Sequence, residues 1–182
     1  MEYIIGFILG VMASFVTWYI LSHHVIPKIE FFPNIYKEKN DENPSGFRYL
    51  IRFKNLGSRD IIDLDIMAKL RIHGIYDFKK WAWKAIYIPI DDNKIPKINS
   101  HKKSPKRTAV QLCVFNISDE AKMSLPDELQ EQCNMKTILL EDLFKLGDKA
   151  ELKLFLFGYD TFSGTRKLFE SKVYTSKDII VE

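Results

Sequence analysis

The sequence predicts a mainly β protein carried on one membrane-spanning helix, on three observations. Residues 3 to 22 hold no charged side chain, and at about 1.5 Å of rise per residue such a run crosses the roughly 30 Å hydrocarbon core of a bilayer. Most of the chain beyond it alternates apolar and polar residues with a period of two, the mark of half-buried strands. Clusters of Pro, Gly, Asn and Ser interrupt that alternation at short intervals, as turns between strands do.

The helix comes first. A cleaved secretory signal would have a basic start, a shorter apolar run and a small-x-small cleavage site. Here Glu2 is the only charged side chain before the run, and the exit reads Trp18-Tyr19-Ile20-Leu21-Ser22-His23-His24, with ring side chains suited to the lipid-water boundary. An uncleaved anchor over residues 1–22 is therefore expected. No Lys or Arg precedes it, whereas Lys28, Lys37 and Lys39 follow; this bias predicts an outside N-terminus and a cytosolic C-terminal domain. Gly6, Gly10 and Ser14 recur every four residues on one helix face, which lets a second backbone approach closely. That spacing suits a homo-oligomer or a membrane-protein partner. Small residues are also common in spanning helices generally.

Residues 23–46, with Pro27, Pro33 and Pro44 and the polar run from Lys37 to Asn43, are expected to form a juxtamembrane stalk with a strand at Ile29 to Phe32. Residues 47–182 form one domain, long enough to bury a core without staples. Within it Phe47, Tyr49, Ile51 and Phe53 alternate with Arg48, Arg52 and Lys54, and Asn55-Leu56-Gly57-Ser58 supplies a turn. Ile62, Leu64, Ile66, Ala68, Leu70 and Ile72 then oppose Asp63, Asp65, Met67, Lys69, Arg71 and His73, and the two runs are expected to pair antiparallel. Further strands are expected at Trp81 to Ile88, Thr108 to Phe115, Glu151 to Tyr159 and Thr165 to Tyr174, the last two joined as a hairpin by Asp160-Thr-Phe-Ser-Gly164. Pro126 followed by Asp127 and Glu128 suits a first helical turn, and Thr137 to Leu146 ends at Gly147. Many short strands with such turns predict an immunoglobulin-like antiparallel β-sandwich in the broad sense, with one or two short helices.

Several of these motifs resemble the cytoplasmic domain of inward-rectifier potassium channels. The carriers are Ile61-Ile62-Asp63-Leu64-Asp65 opening a long strand after an Asn-containing turn, then Phe157-Gly-Tyr-Asp160-Thr-Phe-Ser-Gly-Thr165, Ser171-Lys-Val-Tyr174 and Lys177-Asp178-Ile179. Asn116-Ile-Ser-Asp-Glu120 and Ser124-Leu125-Pro126 echo the family's middle segment. The resemblance covers roughly residues 47 to 180 and implies an immunoglobulin-like sandwich able to assemble into a ring beneath the membrane. No second spanning helix and no Thr-Val-Gly-Tyr-Gly filter accompanies it, so channel activity is not implied.

Enzyme chemistry is not expected, and neither a cofactor nor a metal is. His23 and His24 sit at the helix exit while His73 and His101 stand apart, without zinc or nucleophile spacing. Carboxylate neighbours such as Asp63 with Asp65, Asp91 with Asp92 and Glu141 with Asp142 read as solvated groups rather than acid-base pairs. Cys113 and Cys133 lack metal or redox spacing and read as two buried thiols. Net charge is +3, too mild to demand nucleic acid.

One stretch stands out. Lys94, Lys97, His101, Lys102, Lys103, Lys106 and Arg107 gather without a single acid, a locally positive loop suited to anionic lipid headgroups or a phosphate-bearing ligand. A solvated loop is the plainer reading. No aromatic platform interleaves with it, which disfavours nucleic acid. Trp81 and Trp83 share one strand face and are expected in the core, with an exposed anchor for a partner as the alternative.

The function these features predict is a single-pass, membrane-anchored, non-enzymatic module that binds, senses or oligomerises, in the manner of a membrane effector. The alternatives are an accessory subunit of a channel or transporter and an extracytoplasmic envelope or adhesion module.

Overall fold

The computed structural model describes residues 2–23, 26–75, 82–101 and 107–182. Helix α1 (Glu2–His23) is apolar along its length, and none of its candidate span, Glu2–Leu21, is buried against the rest of the protein. By length and composition it is apolar enough to cross a membrane. Beyond it lie β1 (Ile29–Lys39), β2 (Phe47–Asn55), β3 (Ile61–His73), β4 (Trp83–Ile88), β5 (Ile90–Asp91), β6 (Lys94–Ile98) and β7 (Thr108–Leu112). Three short helices follow, α2 (Asp119–Lys122), α3 (Asp127–Asn134) and α4 (Leu140–Phe144), and then β8 (Lys149–Asp160), β9 (Arg166–Glu170) and β10 (Ile179–Val181).

The strands form two sheets. One has the order β10-β1-β2-β7-β5, antiparallel except where β10 runs parallel to β1. In the other, ordered β4-β3-β8-β9, β6 also pairs with β3. Alternation decides what each sheet buries: Ile35, Tyr49, Ile51, Phe53, Val110 and Leu112 from the first meet Leu64, Ile66, Leu70, Ile72, Leu152, Leu154 and Leu156 from the second. Each such side chain contributes about 1.5 to 3 kcal/mol on burial, which makes this interface the main source of stability. The expected fold, mainly β with one N-terminal apolar helix, is the fold observed, and three short α-helices stand where one or two were expected.

Details differ from the sequence reading for identifiable reasons. β2 and β3 are not an antiparallel pair; they belong to opposite sheets, because residues 56–60 cross the sandwich instead of closing a hairpin. The segment expected as a stalk supplies β1, which lies between β10 and β2, and Pro33 is accommodated where the register shifts between Phe31 and Ile35. In β3, Ile61 rather than Ile62 enters the core. A bulge between Ile62 and Asp65, with Asp63 at φ 49°, resets the alternation. Gly158 lies opposite that bulge, where a Cβ would stand 2.5 Å from the Ile61 side chain.

The last expected strand ends at Glu170. The chain then returns over the core, where the Ser171 hydroxyl accepts from the Leu154 amide and the buried Tyr174 hydroxyl donates to the Phe32 carbonyl. Cys113 and Cys133 are free and buried, and burial pushes both thiols up. Trp83 departs from the expected core position: it is 40% exposed on the outer sheet face, with Arg71 stacked 4.4 Å from its ring centroid. Trp81 lies outside the described residues.

Candidate functional site

The two halves of the chain meet at a junction assembled from three turns. The buried Asn55 side chain organises the first. Its Oδ1 accepts from the Gly57 and Lys28 amides at 2.9 and 3.3 Å, and its Nδ2 donates to the Arg59 carbonyl at 2.7 Å. A Cβ on Gly57 would stand within 2.6 Å of the Ile26 carbonyl oxygen and 2.5 Å of the Lys28 nitrogen. Only glycine allows the crossover between β2 and β3 to press this closely on the chain leaving α1.

Arg59 spans the gap. Its Nη2 donates to the Leu21 carbonyl at 2.9 Å, one of the last-turn carbonyls that a helix leaves without an internal partner. A cation there also suits the negative end of the helix dipole. Its Nη1 pairs with the buried Asp160 carboxylate at 3.1 Å, and its guanidinium stacks 4.1 Å from the Phe162 ring centroid. Asp160 opens the β8–β9 hairpin, accepting from the Phe162 amide at 3.1 Å and the Ser163 hydroxyl at 2.8 Å. Burial opposes its ionisation, but these donors and Arg59 prevail and hold the carboxyl below the usual range.

The third turn follows β6. The Lys97 ammonium pairs with buried Asp60 at 3.0 Å, Asp60 accepts from the Ser100 amide at 2.8 Å, and the His101 amide donates to the Gly57 carbonyl at 3.2 Å. Lys97 and His101 therefore stand at the junction, beside the exit of α1. Lys94, at the far end of β6, instead lines a cavity of about 420 Å³ with Asp63, Asp65, Tyr159 and Arg166. Arg107 stacks 5.2 Å from the Phe32 ring centroid on β1. Lys102, Lys103 and Lys106 lie outside the described residues. Gly6, Gly10 and Ser14 line one groove on α1 with Phe7, Val11 and Trp18, and a Cβ at either glycine would meet nothing within 4 Å.

Sequence reading did not single out Arg59, Asn55, Asp60, Phe162 or Lys167. Polar residues beside turns were the available signal, but nothing in a linear pattern joins residue 21 to residue 59 or 160. A cleft of about 380 Å³ lies between the end of α1 and the β8–β9 hairpin, lined by Trp18, Leu21, Arg59, Phe162, Thr165 and Lys167 among others. A second cluster, away from the junction, is structural: Glu141 of α4 accepts from Lys37 at 2.6 Å and from the Tyr49 hydroxyl, docking the helix on β1 and β2. Burial opposes Glu141 ionisation, yet these two donors hold its carboxyl below the usual range, while burial and the Glu141 charge push the Tyr49 phenol up. Among the described residues no group of three or more His, Cys, Asp or Glu stands close enough to hold a metal ion.

Comparison with known proteins finds no matching family model and no matching curated protein.

Proposed function

We propose that the chain is a single-pass membrane protein whose sandwich is held against the membrane surface as a non-enzymatic binding module, with anionic lipid headgroups as its first partner. The observation that carries this reading is the Arg59 clamp. It fastens the end of α1 to both the β2–β3 crossover and the β8–β9 hairpin, so the end of the sandwich holding Lys97 and His101 lies next to the point where α1 leaves the bilayer. A lysine near an anionic leaflet contributes about 1 kcal/mol; Lys97 keeps half of its side chain exposed beside Asp60, and the lysine bias after α1 supports a cytosolic sandwich.

The test uses the full chain. A C-terminal reporter active only in the cytosol works in this reading, and carbonate washing leaves the protein in the membrane. Activity from a reporter that works only outside the cytosol overturns the orientation.

A second reading, a subunit that docks on another membrane protein or on its own copies, is favoured by the outer face of the β4-β3-β8-β9 sheet. Met67, Trp83, Tyr87, Tyr159 and Leu168 are all exposed there. An apolar patch rimmed by charge suits a protein partner, and the small-residue groove on α1 suits a helix. Cross-linking in the native membrane separates the two: discrete oligomers or a single heterologous product support docking, and monomer alone supports lipid binding without it.

A further inference from the structure

We propose that the tip of the β8–β9 hairpin is a second point of contact with the bilayer: Phe162 lies among the lipid headgroups beside α1, and Arg59 and Lys167 receive a lipid phosphate in the cleft between hairpin and helix. This rests on reading α1 as a membrane span. It is independent of the basic loop.

The first support is position. The cleft has one wall in the final turns of α1, Trp18 and Leu21, and the other in the hairpin, Phe162, Thr165 and Lys167. Whatever depth the end of α1 occupies, the hairpin tip shares it. Ring side chains concentrate at the lipid-water boundary, and Trp18 and Tyr19 stand in the final turns of the helix.

The second support is exposure held rigidly. Phe162 is 66% exposed, a large apolar side chain at a turn where its backbone amide is fixed by Asp160 and its ring by the guanidinium of Arg59. An aromatic ring kept out of the core by two specific contacts is suited to an apolar partner outside it. Bilayer is the apolar partner adjacent to it.

The third is charge. Arg59 has five N–H donors; one goes to Leu21 and one to Asp160, so others are left for an acceptor entering the cleft. Lys167 forms no ion pair among the described residues. With Arg59 and Asp160 offsetting each other, Lys167 supplies the unbalanced positive charge. The Ser163 hydroxyl donates to Asp160 and lies 2.7 Å from that of Thr165, so the donors left in the cleft for a phosphate are those of Arg59 and Lys167.

The test places a fluorophore on a Thr161→Cys variant of the full chain, next to the intact Phe162; the native cysteines are buried. A Tyr87→Cys label on the outer sheet face is the reference. Reconstituted vesicles of phosphatidylcholine with increasing phosphatidylserine carry nitroxide at the headgroup.

Quenching at position 161 well above that at 87 is expected, rising with phosphatidylserine and falling on Phe162→Ser. Lys167→Gln lowers the apparent affinity for phosphatidylserine about fivefold. Millimolar inorganic phosphate leaves the quenching unchanged.

Equal quenching at 161 and 87 in protein that resists carbonate extraction overturns this inference alone. Extraction by carbonate overturns the anchor and the inference together. Phosphate that abolishes the quenching assigns the cleft to a free anion and overturns the lipid assignment.

Discussion

At the scale of single residues, Arg59 has the most distinct role, because one guanidinium satisfies a helix-end carbonyl, a buried carboxylate and an aromatic face. Arg59→Met leaves Asp160 buried without its ion-pair partner, a situation that costs about 3 to 5 kcal/mol. Asp160→Asn in the same background removes the stranded charge and recovers part of that loss. Thermal unfolding of the three variants in detergent gives the comparison, and a double variant no more stable than Arg59→Met counts against the pair. Asn55→Ala tests the neighbouring turn. It strands the Gly57 and Lys28 amides and the Arg59 carbonyl, with an expected cost of about 1 to 3 kcal/mol, measured by the shift in denaturant midpoint at constant slope.

Elements were legible in the sequence where one face of a strand is buried and the other wet. Period two therefore located β2, β3, β7 and β8. It could not say which strands pair, since β2 and β3 carry the same pattern whether they are neighbours or face each other across a core. The bulge at Asp63 hid similarly: the alternation reads through it, and only the positive φ and the register shift reveal that Ile61 is inside. Trp83 was misplaced because Ile86 and Ile88 compete with it for the core, and the β-branched pair wins. The junction was the least legible part, as its contacts join residues far apart in the chain and leave no periodic trace.

α4 yields a pH prediction at this scale. Glu141 has its folded-state carboxyl lowered by Lys37 and Tyr49, so its contribution is full above the unfolded value of about 4.3 and is lost as pH falls through the lower folded value. Asp160 has the same sign. The protection of the Leu143 and Phe144 amides, taken relative to the unfolded chain at each pH, should therefore hold at neutral pH and fall only in acid below about pH 4, and Glu141→Gln should abolish that acid step. A change in protection between pH 6 and 8 would point to a histidine instead.

For the whole molecule, the arrangement of its two exposed apolar surfaces matters most. The groove of α1 carries Gly6, Gly10 and Ser14 and ends at Trp18, which also walls the cleft against the hairpin. A helix seated in that groove would therefore approach the junction as well as the span, linking association in the membrane to the position of the sandwich. Gly6→Ile with Gly10→Ile should block close backbone approach while leaving insertion intact, because isoleucine is at home in lipid; a Cβ at either position has open space around it. Cross-linking of the full chain in membranes should fall in the double variant, with carbonate resistance and sandwich unfolding unchanged. If cross-linking persists at the wild-type level, α1 is not the contact, and the exposed sheet face bearing Trp83 and Tyr87 becomes the surface that holds any assembly together.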